Sequence, residues 1–199
     1  MTGPDALELV LHHRYTDPHP HDLSGHGNVG FSTGTRARGR QGPHAALAFD
    51  GAHDRVFVPP SPTLARPGGF RTDLVVNVEA LGQRRTLIEG YLSFALYVEA
   101  DGAVGGSVYR YKDWHSLQTA PGSIRLGDWI TITLMYSSDG IMTLLLNEEQ
   151  AAADYRRLGP CNAIAWPFGL SIGAWPDADQ RVLQGRIEEV KLWRSLRTT

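Results

Sequence analysis

The sequence predicts an all-β domain in which two antiparallel sheets pack face to face as a sandwich. The stretch from Gly127 to Glu149, GDWITITLMYSSDGIMTLLLNEE, contains two apolar segments joined by Asp139-Gly140. In the first segment Ile130, Ile132 and Leu134 recur at every second position, which is the period of a β-strand. Asp-Gly supplies the positive φ that a hairpin turn needs. A hairpin this apolar requires a second sheet, stacked about 10 Å away, to cover it.

Similar short segments follow one another along the chain and give the predicted strands in order. Turn residues separate the segments and no amphipathic helix lies between them, which favours an antiparallel sandwich over a parallel α/β sheet. Gln150 to Arg157 is the one stretch with helix propensity. Outside the central hairpin, the predicted strands are 7–12, 45–49, 54–58, 70–80, 86–89, 92–99, 106–114, 168–174 and 186–193.

Each boundary has a local cause. Asp50-Gly51 and Pro59-Pro60 end the second and third strands, and Gly82 breaks the fourth. Ala100-Asp101-Gly102 separates the strand 92–99 from the strand that follows it. Three tryptophans stand among apolar neighbours and are predicted to lie in the core: Trp129, Trp175 and Trp193.

Composition is that of one globular domain over residues 1–199. Hydrophobic residues make up 42% and charged residues 20% of the chain, which is enough apolar surface for a core. The formal net charge of -2 gives no attraction to nucleic acid or to an anionic membrane. Cys161 is alone, and the N-terminus lacks the cationic start and apolar run of a signal peptide. We therefore expect a cytoplasmic protein or part of an assembled particle, or a secreted one if the chain is an excised domain.

Five segments also occur in a characteristic order. They are DLSGHGNVG from Asp22, ALAFDGAHDRVFVPPSPTL from Ala46, the central hairpin, LSIGAW from Leu170 and GRIEEVKLWRSL from Gly185. Together they resemble the laminin-G-like, concanavalin A-like jelly-roll domains related to pentraxins. The resemblance implies a single jelly-roll sandwich and does not specify a ligand. Two positions depart from the family pattern: Asn147-Glu148 replaces the usual Asn-Gly, and Glu188 replaces the usual Asp of the last strand.

The loop from Asp22 to Gly30 is the candidate metal site. Ca²⁺ takes six to eight oxygen ligands, and Asp22 and Asn28 supply side-chain oxygens. The resemblance implies that this loop lies beside the last strand and that Glu188 completes a structural calcium site. The alternative is a loop held by its own Asx-turn hydrogen bonds. Histidines between His12 and His26 match no closed zinc site, and solvent-exposed loop histidines are the simpler interpretation.

A short aromatic and basic stretch is the candidate ligand-binding surface. Aromatic rings stack on the apolar faces of sugars and suit protein interfaces, while Arg and Lys add polar anchors. The alternative is that the tyrosines, which share a predicted strand face, pack in the core. The candidate residues are Tyr109, Arg110, Tyr111, Lys112 and Trp114.

No catalytic motif has the surroundings that its chemistry needs. The patterns Gly-x-Gly-x-x-Gly from Gly25 and Gly-x-Ser-x-Gly from Gly30 both require a strand followed by a helix, which the sequence does not predict. Glu99 and Asp101 could form the carboxylate pair of a glycoside hydrolase, but Asp101-Gly102 is typical of a turn.

These observations predict a non-catalytic recognition module, lectin-like and with a glycan or a protein as its partner. One alternative is a structural protein that binds another protein within a particle. A glycan-cleaving enzyme of the same fold is the other. The sequence does not specify the ligand or the oligomeric state.

Overall fold

The computed structural model describes residues 6–16, 19–41, 44–164, 168–176 and 180–196. These residues form strands, turns and loops but no helix, so none of them builds a helix that could cross a membrane. The strands are β1 Leu7–Arg14, β2 Phe31–Thr33, β3 Arg36–Gln41, β4 His44–Asp50, β5 Arg55–Val58, β6 Phe70–Val78, β7 Arg85–Gly90, β8 Phe94–Val98, β9 Val104–Arg110, β10 Asp113–Gln118, β11 Trp129–Tyr136, β12 Met142–Leu146, β13 Glu149–Asp154, β14 Leu170–Ile172 and β15 Gln184–Ser195.

Two antiparallel sheets form the predicted sandwich. One has eight strands, in the order β13-β12-β11-β6-β15-β4-β3, with β1 also paired to β15. The other has seven, in the order β10-β9-β8-β7-β14-β5-β2. A bulge at Glu188 divides β15, so that its first part pairs with β4 and its second part with β1. The predicted fold class is therefore confirmed.

The core lies between the sheets and draws side chains from both. In the central hairpin the predicted face is buried: Ile132 and Leu134 are fully covered, and Met142 and Leu144 of β12 lie beside them. Gly140 has a φ of 88°, as its place in the turn requires. The seven-stranded sheet contributes the facing layer, and a Cβ added to Gly106 would lie 2.6 Å from Leu134 Cδ1. The sheets therefore approach closely at this point.

Two predicted elements are wrong, each for a physical reason. The stretch from Gln150 to Arg157 is not a helix, because β13 pairs with β12 and sheet hydrogen bonding outweighs local propensity. The predicted strand 106–114 is two strands, since Tyr111 and Lys112 both have positive φ, 53° and 64°, and turn the chain back.

The tryptophans are not in the core as predicted. Trp193 is half-buried, with the Arg71 guanidinium 5.4 Å from its ring centroid. Trp129 and Trp175 are also only partly covered. A tryptophan is large enough to be shielded on one side by its own sheet and on the other by a polar side chain, so apolar neighbours in sequence do not place it in the core.

Candidate functional site

The β9–β10 hairpin forms one edge of the seven-stranded sheet and carries most of the predicted recognition residues. Its two-residue turn, Tyr111-Lys112, sets the register so that Tyr109 lies directly opposite Trp114. Because side chains alternate across a strand, Tyr109 and Arg110 leave on opposite faces. Of the predicted recognition residues that the two strands carry, Tyr109 and Trp114 therefore share the outer face of the sheet.

Tyr109 and Trp114 form an aromatic pair at this edge. Their ring centroids are 5.4 Å apart with an interplanar angle of 60°, an edge-to-face arrangement that holds both rings. Trp114 keeps 36% of its surface exposed, although most large apolar side chains of this sheet are covered. The pair is thus ordered and still accessible to a ligand.

Hydroxyl groups lie next to the aromatic pair on the same face. Tyr97 and Ser107 are hydrogen-bonded through their hydroxyls at 2.9 Å, and Ser107 and Ser116 at 2.8 Å. Ser116 is exposed and can exchange hydrogen bonds with a ligand. We call Tyr109, Trp114 and Ser116 the edge platform. Gly105 lies under the Tyr97 ring, and a Cβ there would overlap the ring.

Glu99 and Asp101, the two candidate catalytic acids, are both hydrogen-bonded within the protein. Glu99 accepts two hydrogen bonds from Arg84, at 2.6 and 3.1 Å, and one of 2.8 Å from Gln118. Asp101 accepts the backbone N–H of Ala103 at 3.0 Å and so closes a turn. Both carboxylates stabilise local structure, and their geometry gives no support to the glycan-cleaving alternative.

Glu89 lies on the same outer face as the edge platform and is not among the residues predicted from the sequence. It lies near the centre of the outer face of the seven-stranded sheet, between Ser171 of β14 and Ala95 of β8, with 4% exposure. Burial raises the pKa of its carboxyl to about 7, although nearby Arg181 and a hydrogen bond from Trp175 oppose the rise. The signal was available in the segment Arg85–Gly90, where one acid follows three apolar or β-branched residues.

The remaining predicted ligand residues lie away from the edge platform. Arg110 donates to the backbone oxygen of Leu158 at 3.3 Å and to Asn162 Oδ1 at 3.0 Å. Tyr111 is 72% exposed, and its hydroxyl also donates to the Leu158 oxygen. Lys112 is exposed in the turn. Tyr111 is in a turn and does not share a strand face with Tyr109, which corrects that part of the prediction.

Asp22 is fully engaged by protein donors. Its Oδ1 accepts the backbone N–H groups of His12 and Ser24, both at 3.0 Å. Its Oδ2 accepts the Ser24 hydroxyl at 2.8 Å and the Asn28 N–H at 2.9 Å. Partial burial alone would raise the pKa of Asp22, but the four hydrogen bonds together lower it. A carboxylate has about four lone-pair sites, and all are used.

Asn28 is similarly engaged, and Glu188 lies on another element. The Asn28 amide donates to Val10 O at 2.6 Å and to Thr63 Oγ1 at 2.9 Å, while Ser61 donates to its Oδ1 at 2.6 Å. Glu188 Oε1 lies 3.9 Å from the Arg14 guanidinium. Across the described ranges, no three or more His, Cys, Asp or Glu side chains are grouped to hold a metal. This geometry gives no support to a calcium site, which stays a prediction.

The loop histidines are not uniformly solvent-exposed. His13 is fully buried, and its Nε2 lies 2.8 Å from the carbonyl oxygen of Asn28, so it acts as the donor in that bond. Its Nδ1 lies 3.4 Å from the Tyr15 hydroxyl, which donates to it. Burial lowers the pKa of His13, which keeps the ring neutral. His13 therefore holds the loop against β1, and the simple solvated interpretation is wrong for this residue.

These features define the class of the molecule: an antiparallel two-sheet β-sandwich with an aromatic platform on the hairpin at one sheet edge. No protein-family model matches the chain, and no curated protein matches its sequence. Solved structures do match, with low sequence identity, and the likeness shows the fold alone.

Three of these structures illustrate the likeness. The binding domain of Paraclostridial mosquitocidal protein 1 is 14% identical, with a TM-score of 0.75 over 96% of this chain and 50% of that one. The botulinum neurotoxin serotype D ligand-binding domain, solved with N-acetylneuraminic acid, is 12% identical, with a TM-score of 0.72 over 96% and 48%. The Ruminococcus gnavus IT-sialidase CBM40, bound to α2,3-sialyllactose, is 16% identical, with a TM-score of 0.53 over 68% and 80%. The chain spans about half the length of the first two of these domains.

Proposed function

We propose that this domain is a non-catalytic carbohydrate-binding module that binds a glycan on the edge platform. The observation that carries the proposal is the Tyr109–Trp114 pair, held edge to face, with Trp114 36% exposed beside the Ser116 hydroxyl. A sugar ring offers an apolar face that stacks on an aromatic ring and hydroxyls that exchange hydrogen bonds with serine. Both requirements are met within one short hairpin.

The similar solved structures support this proposal. Two of the three are described with bound N-acetylneuraminic acid or sialyllactose, and the third is described as a binding domain. The laminin-G-like assignment remains a prediction, because none of these structures is described as such a domain. A protein receptor that presents glycans would suit the same surface.

The proposal is tested by glycan-array binding followed by isothermal titration of the strongest glycan. Trp114→Ala is expected to weaken binding by roughly tenfold or more, equivalent to about 1.4 kcal/mol of lost stacking. Ser116→Ala should weaken it less, because only one exposed hydroxyl is lost.

Phe31→Ala is the matched control, since Phe31 is 60% exposed on β2 at the opposite edge of the same sheet. It should leave glycan affinity unchanged. Equal losses in both aromatic variants would contradict the proposal. So would an array without any bound glycan, and a stable homomer or co-purifying protein would then favour the structural alternative.

A further inference from the structure

A pocket at one end of the sandwich brings three arginines together. It has a volume of about 680 Å³ and lies where the β5–β6 loop, the β13–β14 loop and the end of β15 meet. The arginines are Arg66, Arg110 and Arg194, and none of the described residues that line the pocket carries a carboxylate. Small-molecule sites commonly have volumes of about 300 to 1,000 Å³. We call this the arginine pocket.

The three arginines differ in how their charge is compensated. Arg194 donates to Glu8 at 2.8 Å and to the Thr63 backbone oxygen at 3.2 Å. Its positive charge is therefore already balanced by a carboxylate. Arg110 donates to two neutral oxygens, of Leu158 and Asn162, and pairs with no carboxylate in the described part of the chain. Arg66 is exposed and makes no ion pair with a described residue. Two positive charges are therefore available to a ligand.

The rest of the lining suits the body of an organic anion. Pro62, Pro160 and Ala163 contribute apolar surface, which a bare inorganic ion would not use. Burial raises the pKa of the Cys161 thiol to about 12, so the thiol is neutral and adds no repulsion to an anion. A guanidinium can make two parallel hydrogen bonds to a carboxylate or sulfate group.

We propose that the arginine pocket is a second binding site, for the oxyanion of an acidic sugar, with Arg66 and Arg110 contacting the carboxylate or sulfate group. It is separate from the edge platform, because Arg110 leaves β9 on the face opposite to Tyr109. Taking a sugar as the body of the ligand rests on the proposed function. The preference for an oxyanion follows from the pocket alone.

The test is isothermal titration of the intact chain with glucuronate, glucose and inorganic sulfate or phosphate. Glucuronate should bind, and glucose, which lacks the carboxylate, should bind at least tenfold more weakly. Raising the salt concentration should weaken glucuronate binding, since ions screen the exposed charge. Arg66→Gln and Arg110→Gln should each lower glucuronate affinity by roughly tenfold or more. Arg66→Gln is informative even if Arg110→Gln loses stability, because Arg66 makes no described hydrogen bond.

Two control variants complete the test. Arg125→Gln changes an exposed arginine in the loop between β10 and β11, outside the lining of the arginine pocket, and should leave glucuronate affinity unchanged. Trp114→Ala should keep glucuronate binding at the arginine pocket while it loses glycan binding at the edge platform. The two binding sites can therefore be tested independently of each other. Wild-type affinity in both pocket variants would overturn the proposal. Glucose or inorganic anions that bind as tightly as glucuronate would overturn it as well.

Discussion

At the scale of single residues, Glu89 has an unusual environment for a glutamate. Glutamates are almost never fully buried unless they are paired, yet Glu89 is 4% exposed on the outer face of the seven-stranded sheet. Burial raises its pKa to about 7, and the positive charges of Arg181 and Arg84 offset only part of the rise. The carboxyl is therefore partly protonated near neutral pH, which gives the sheet a titrating group next to the small residue Ala95.

This pKa predicts how stability depends on pH. A glutamate carboxyl has an ordinary pKa of 4.5, and Glu89 in the folded chain has a pKa of about 7. Between these two pH values the unfolded chain therefore releases a proton that the folded chain keeps. The free energy of unfolding should therefore fall as pH rises, by about 3 kcal/mol in total, and the loss is complete above the folded pKa. Glu89→Gln keeps the shape and removes the titration.

Urea unfolding of wild type and Glu89→Gln at several pH values from 4 to 8 measures this effect. The variant should gain stability relative to wild type as pH rises. Buried His13, which favours folding as pH rises through its own range, is present in both proteins and cancels in the difference. Parallel curves for the two proteins would show that Glu89 titrates normally.

Some of the candidate site could be predicted from the sequence and some could not. Tyr109 and Trp114 were predicted as binding residues, and their residue types are what a sugar-stacking surface needs. The direction of Arg110 depends on the turn at Tyr111-Lys112, which contains none of the usual turn residues. Glu89 was missed because its hydrogen-bond partner Trp175 and the nearby charge of Arg181 are far away along the chain.

At the scale of elements, the hairpin with recognisable turn residues was predicted correctly, and the hairpin without them was missed. The β11–β12 hairpin was predicted correctly, because Asp139-Gly140 marks the turn and the strand alternates. The hairpin between β12 and β13 was missed, since Asn147 and Glu148 adopt positive φ, 50° and 69°, without a glycine. Positive φ costs a non-glycine residue about 1 kcal/mol, and strand pairing on both sides compensates for that cost.

The loop that starts at Asp22 supports a prediction at this scale. Asp22 connects the loop to β1 through its bond from His12 and closes the loop through Ser24 and Asn28. Asp22→Ala leaves these donors without their acceptor and should lower the free energy of unfolding by about 2 to 3 kcal/mol. Because protein donors fill the carboxylate, we expect the same loss in millimolar Ca²⁺ and in a chelator.

Thermal melts under both conditions check this expectation, with Asp101→Ala as a control that loses only one bond, to Ala103. The control should cost less than about 1 kcal/mol. A wild-type melting temperature raised by Ca²⁺, with no such rise in Asp22→Ala, would instead establish the predicted calcium site, since a metal that binds only the folded state stabilises it.

At the scale of the whole molecule, the two sheets have one core between them. Buried side chains from both sheets form one contiguous cluster, and Leu134 of β11 packs against Gly106 of β9 across the interface. Neither sheet can keep its inner face covered without the other. The alternating pattern was sufficient to predict two layers, but the strand order was not predictable, because pairings such as β6 with β15 join segments distant in sequence.

A shared core predicts that the sheets unfold together. Leu134→Ala removes a fully buried side chain and should cost about 3 to 5 kcal/mol. Hydrogen exchange should then show equal losses of protection in the most protected amides of β12, in the eight-stranded sheet, and of β8, in the seven-stranded sheet. Leu126→Ala, at a position that is 52% exposed, should change neither. A loss confined to β12 would mean that the sheets unfold independently, and the edge platform on the seven-stranded sheet would then persist after the eight-stranded sheet had opened.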